Sequence, residues 1–282
     1  MKLDNIDKEI LIGLYRYRYL TRPIVMKMIQ GLSLTACNRR LLRLFNVGYI
    51  DRPSKEMFSY QRHFIVYALA RKGAEYLTEH YQIEFPKSVR WSQKNKRYRG
   101  QDPFSHAIET ARFMIALEIA LVGREAKLLH QDELLGANYV EGVSWSTRIF
   151  TEFETLSVGL KPDGIFSVFE QGNSNALNYF LEIDRGTMPL RSAHFNRSSI
   201  LKKYLSYSDT HIRGLAKEKF GFKNFRILIL TSSRARKENM IELWAQEFPQ
   251  LPKLCLFSSF EDIEELGALE AWSDIKGKPV NI

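Results

Sequence analysis

Early in the chain, apolar residues recur three and four positions apart in short stretches; later they run together or alternate. That pattern predicts a cluster of helices followed by a mixed layer of helices and strands. Asp7 can cap a first helix with the apolar stripe Ile10, Leu11 and Leu14, and Thr21 a second, with Pro23 in its first turn and Val25, Met28 and Ile29 facing inward. Ser33 can cap a third helix, in which Cys37, Leu41 and Leu44 fall at i, i+4 and i+7. Thr35, Asn38, Arg39 and Arg43 are left on its other faces. Gly48 stops that helix, residues 49–52 and 64–69 read as strands, and residues 53–62 between them form a polar loop. Leu69, Gly73 and Leu77 at four-residue spacing open a closing helix.

Residues 86–100 carry six basic side chains and no apolar period, which predicts a linker. After it come a long amphipathic helix at 103–122, a strand at 127–130, an irregular stretch, strands at 164–169 and 178–184, a helix at 195–208 and a strand at 225–231. A further helix (236–246), a strand (254–257) and a short helix (261–266) complete an α/β layer. The expected division is a domain at 1–85, a basic linker at 86–102 and a second domain at 103–282.

Charge sharpens the division. Residues 1–100 hold 20 basic and 8 acidic side chains, and residues 101–282 hold 21 and 24, so the whole net charge of +9 arises in the first segment. Local lysine and arginine density governs counterion release from nucleic acid, which makes the N-terminal half the expected nucleic-acid reader. The chain has no apolar run approaching the roughly 20 residues of a membrane span. With no signal-peptide pattern at the N-terminus and only two cysteines, Cys37 and Cys255, in no metal-binding spacing, a cytoplasmic protein with buried thiols is expected.

Residues 5–82 resemble a MarR-like winged helix-turn-helix. In that reading the third helix enters the major groove, where Thr35, Asn38, Arg39 and Arg43 reach base edges, while Arg52, Lys55 and Arg62 on the wing neutralise phosphates. The αβββαβ order of the second half resembles the PD-(D/E)XK nuclease-like core. Pro162-Asp163 opens one strand and Leu181-Glu182-Ile183-Asp184 closes the next, so Glu182 and Asp184 share a face by the two-residue strand period. Asp163, Glu182 and Asp184 form a candidate catalytic and metal-binding set for Mg²⁺ or Mn²⁺, with Glu109 able to join from the side. The nuclease pattern places a lysine where Asp184 stands, and Lys202 or Lys203 on the next helix, or the adjacent Arg185, offers a displaced cation. The same carboxylates can instead form a structural ion-pair network.

Lys161-Pro162-Asp163-Gly164, the run from Phe180 to Leu190 containing Glu182-Ile183-Asp184-Arg185-Gly186-Thr187, and Lys202-Lys203-Tyr204 resemble the plasmid replication-relaxation family over about residues 7–245. The resemblance implies a mobile-element protein that acts on DNA in replication, mobilisation or their control. The expected function is sequence-specific binding of double-stranded DNA, as a homodimer and in company with replication or mobilisation proteins, away from membranes. The alternative is a metal-dependent DNA endonuclease targeted by the winged helix.

Overall fold

The computed structural model describes residues 2–52, 65–81, 104–136, 143–150, 154–170, 176–192 and 197–282. It shows a mixed α/β protein that divides into two units, Met1–Ile119 with Leu135–Glu141 and Ala120–Leu134 with Gly142–Ile282.

The first unit begins with α1 (Asn5–Tyr17), whose N-cap is Asp4 rather than Asp7. Asp4 Oδ1 accepts from the Asp7 amide at 3.0 Å and Asp7 Oδ2 from the Asp4 amide at 3.3 Å, a reciprocal capping box. Ile10, Leu11 and Leu14 are fully buried, as their spacing predicts. A short strand, β1 (Tyr19–Thr21), leads into α2 (Arg22–Met28) and then α3 (Leu34–Val47). Ser33 caps α3 by accepting from the Ala36 amide, and Gly48 ends it at φ 83°, a left-handed conformation that costs glycine least. Cys37, Leu41 and Leu44 form the buried stripe of α3.

β3 (Val66–Leu69) lies between β1 and β2 (Ile50–Asp51) and runs antiparallel to both, pairing Leu20 with Tyr67 and Ile50 with Leu69. α4 (Arg71–Tyr81) follows. Gly73 on α4 lies so close to the end of the first sheet that an added Cβ would stand 2.2 Å from the Tyr49 carbonyl oxygen. The helix at the start of the expected second domain, α5 (Ser105–Leu121), groups through residue 119 with this first unit. Just before α5, Phe104 is fully buried with Tyr19, Val66 and Ala68, its ring edge-on to Tyr19 at 4.8 Å. Tyr17 donates to Glu118 at 2.8 Å.

The second unit is built on a seven-stranded sheet. Its members are β4 (Ala126–Leu129), β7 (Gly164–Glu170), β8 (Leu177–Asp184), β9 (Arg226–Thr231), β10 (Cys255–Ser259), β11 (Trp272–Ser273) and β12 (Pro279–Val280), in the order β12-β11-β10-β9-β8-β7-β4. β4, β7 and β8 form an antiparallel series, whereas β8, β9 and β10 are parallel. The parallel crossovers carry α7 (Ile200–Ile212) with α8 (Leu215–Phe220), then α9 (Arg234–Glu247); α10 (Phe260–Leu266) follows β10. Central strands buried on both faces read as continuous apolar runs, and Ile227–Leu230 of β9 are all buried.

The stretch read from sequence as irregular holds the short α6 (Gln131–Leu135) and an antiparallel hairpin, β5 (Trp145–Phe150) and β6 (Thr155–Leu160). Trp145, Thr147 and Ile149 of β5 turn inward, and Trp145 Nε1 donates to Thr210 on α7 at 2.8 Å. A polar residue on the inward side and Phe150 on the outward side, 69% exposed, blur the alternation that marks a strand.

Candidate functional site

Two places concentrate polar chemistry, one in each unit. On α3, the buried stripe leaves Thr35, Asn38, Arg39, Leu42 and Asn46 exposed. Their offsets of 3, 4, 7 and 11 from Thr35 place them in one band along the helix. Arg39 makes no side-chain hydrogen bond or ion pair among the described residues, whereas Asn38 Oδ1 accepts from Arg22 at 3.3 Å.

Arg43 is directed elsewhere. Its Nη2 lies 2.5 Å from Asp7 Oδ2, and Arg40 Nη1 bonds both Asp7 Oδ1 at 3.0 Å and Asp4 Oδ2 at 2.6 Å. Asp7 is fully buried, so these guanidiniums neutralise an otherwise unpaired interior carboxylate and tie α3 to α1. Arg52 is half-buried, its guanidinium 4.2 Å above the Phe45 ring and 5.5 Å from Tyr67, a cation–π arrangement that fixes it at the end of β2. Lys55 and Arg62 lie outside the described residues.

In the second unit, alternation along β8 puts Phe180, Glu182 and Asp184 on one face, and the two acids are buried. Lys203 and Tyr207, one helical turn apart on α7, both reach Glu182: Lys203 Nζ forms an ion pair with Oε2, and the Tyr207 hydroxyl donates to Oε1 at 2.6 Å. Asp184 Oδ2 accepts from Thr231 Oγ1 at 3.1 Å and from Arg236 Nε at 2.9 Å. Asp163, just before β7, accepts from the Ile183 amide through Oδ2 at 2.8 Å, which brackets the stretch of β8 between the other two acids. Lys202 lies on α7 beside Lys203, its amide donating to the cap residue Ser199 at 3.2 Å. Glu109 sits on α5, in the first unit.

Burial pushes the Glu182 carboxyl up to about 7, against the pull of Lys203 and with a further push from Asp163. Burial disfavours the Lys203 charge, but Glu182, Asp163 and Asp184 outweigh it and hold the ammonium above its ordinary range. Tyr207 is raised well above its usual value by burial and by Glu182, and so remains a neutral donor.

A divalent cation would need carboxylate oxygens free to face one point. Here Lys203 occupies Glu182 and Arg236 occupies Asp184, and among the described residues no three His, Cys, Asp or Glu side chains are grouped to hold a metal ion. The donor set as arranged therefore fits an ion-paired network and not a Mg²⁺ or Mn²⁺ cradle. Tyr204 is a packing residue, its ring edge-on to Trp244 at 4.8 Å. Cys37 and Cys255 are buried free thiols, and burial pushes both above their ordinary range.

The ion pairs of Arg236 and Arg40 and the exposure of Leu42 were not singled out from the sequence. Arg40 and Leu42 had a signal in helical spacing, Leu42 seven residues after Thr35 and Arg40 three before Arg43. Arg236 stands in the first turn of α9 and meets Asp184 only because β8 and β9 pair in parallel.

These features define a two-unit α/β protein with a basic, helix-rich first unit and an ion-paired acidic centre in its second. Residues 11–222 match the replication-relaxation family, and the chain belongs to that family. Membership suggests a role in the replication or mobilisation of plasmids. No curated protein and no solved structure matches the chain. Among the described residues no helix is long and apolar enough to cross a membrane.

Proposed function

We propose that this protein binds double-stranded DNA sequence-specifically, reading the major groove with α3 during replication or mobilisation of a plasmid or other mobile element. The observation that carries the reading is the exposed band Thr35, Asn38, Arg39, Leu42 and Asn46, on a helix whose opposite stripe is buried, in the segment that holds all the net positive charge. Arginine pairs bidentately with guanine, asparagine with adenine, and an apolar side chain such as Leu42 packs on a thymine methyl.

The order α1-β1-α2-α3-β2-β3-α4, with a three-stranded antiparallel sheet, supports the winged helix-turn-helix reading of the first unit. Thr35, Asn38 and Arg39 would then contact bases and Arg43 would brace the helix. The antiparallel β4-β7-β8 series followed by the α7 crossover to a parallel β9 supports a nuclease-like core. With its acids held by Lys203 and Arg236, that core serves as a docking or dimerisation platform. One α3 spans a single half-site, and a homodimer would read a paired site.

The test is a supercoiled plasmid carrying the native upstream DNA, incubated with the protein with and without Mg²⁺ or Mn²⁺. The expected result is retarded mobility with intact strands. Metal-dependent nicking lost on Asp163→Ala would replace this reading with the endonuclease alternative.

A further inference from the structure

At the end of the second unit's sheet opposite to Glu182 and Asp184, a cleft of about 960 Å³ opens where β8, β9 and β10 begin. Tyr179 and Asp184 are five residues apart on one strand, a rise of roughly 17 Å, and Tyr179 points to the other face of β8 from Glu182. The cleft is therefore separate from the acidic centre.

Lys223, Arg226 and Lys253 line it together with His211, and among the described residues no aspartate or glutamate does. This is a local reversal of sign in the part of the sequence where acids outnumber bases. None of the three cations is engaged in a side-chain ion pair or hydrogen bond among the described residues, so their charge is available to an anion. Phe222 and Phe225 form an apolar floor, held from behind by Phe180 at 6.1 and 4.9 Å, and Leu177 stands 41% exposed at the margin.

The Tyr179 side chain lies behind the cleft, fully buried against Phe166, and among the described residues its hydroxyl has no hydrogen-bond partner. Beside it the Asn178 amide donates to the Asn224 carbonyl at 3.0 Å, which fixes the polar wall.

We infer that this cleft binds a nucleotide unit, its phosphate on Lys223, Arg226 and Lys253 and its base against the apolar floor. A flat heterocycle joined to a phosphate is the chemistry that uses the cations and the apolar floor together. The unit can be supplied by a free nucleotide or by a single strand of DNA.

The test is equilibrium titration of the full chain with two probes, ADP and 5′-phosphorylated dT5. At least one should bind saturably, and which one does identifies the source. Replacing Lys223 and Lys253 together by alanine should weaken that binding about tenfold or more, since both are exposed and each contributes a charge-assisted contact. Arg39→Ala, in the first unit, should leave it as in the wild type. Absence of saturable binding of both probes at about millimolar concentration, a range that weak nucleotide sites reach, would overturn the inference. So would equal binding by the wild type and the double-lysine variant.

Discussion

Arg39 and Arg43 lie one helical turn apart on α3, but only Arg43 is tied to a buried acid, so under the proposed function Arg39→Ala and Arg43→Ala should fail in different assays. Arg43 is 42% exposed and bonds the fully buried Asp7. A charge-assisted hydrogen bond contributes about 1.5–3 kcal/mol when buried, and partial exposure with Arg40 still in place brings the expected loss to about 1–2 kcal/mol. For a unit of this size each kcal/mol shifts Tm by roughly 3–5 °C. Arg43→Ala should therefore lower the melting temperature clearly while leaving DNA selectivity intact below the transition. Arg39 is exposed and among the described residues holds no other side chain, so Arg39→Ala should leave Tm within about 1 °C, as surface substitutions usually do. It should cost about 1–3 kcal/mol in binding, roughly 5- to 150-fold in Kd, with selectivity relaxed at one base position. Fluorescence anisotropy on the native upstream duplex at fixed salt, beside thermal denaturation of each variant, separates the two. Loss of selectivity in Arg43→Ala at unchanged Tm, or wild-type affinity in Arg39→Ala, would refute the assignment.

Two further outcomes follow from the second unit. Glu182 is raised to about 7 in the folded chain against 4.5 for a free carboxyl, so the folded protein binds this proton more tightly; stability should fall as pH rises from about 4.5 to 7, and Glu182→Gln should flatten that slope in melting curves. Asp262 completes the capping box of α10 with Ser259 and pairs with Lys237 at 2.6 Å and Arg234 at 2.7 Å. Burial opposes its charge, but Lys237, Arg234 and Ser259 outweigh that and hold it down to about 2. Asp262→Ala should cost about 1–3 kcal/mol in denaturant unfolding at neutral pH, where the carboxylate is ionised, with the difference from wild type shrinking as pH falls from 3.8 toward 2.

Most elements could be read from local pattern because their burial is regular. The stripes of α1 and α3 and the apolar run of β9 lie where period and composition put them. The β5-β6 hairpin was hidden because its inward face includes Thr147 and its outward face Phe150, so its pairing depends on contacts with α7 that no local window contains. β1, only three residues long, is a strand because β3 pairs with it across more than forty positions of sequence. At the acidic centre the strand period correctly put Glu182 and Asp184 on one face, but what neutralises them was not legible: Lys203 comes from α7 and Arg236 from α9. On α3 the pattern showed which side chains face away from the core. It did not show that Arg43 turns to Asp7, since a buried acid on another helix leaves no trace in the spacing of α3 itself.

The measurement that tests the central claim most directly is competition of the native upstream duplex against a permuted duplex of equal length and composition, repeated at two salt concentrations. The native duplex should bind tighter by about 10³-fold or more, and affinity for both should fall with salt at a slope near −0.9 per phosphate neutralised. Equal affinity for the two duplexes, or no salt-sensitive binding of either, would contradict it.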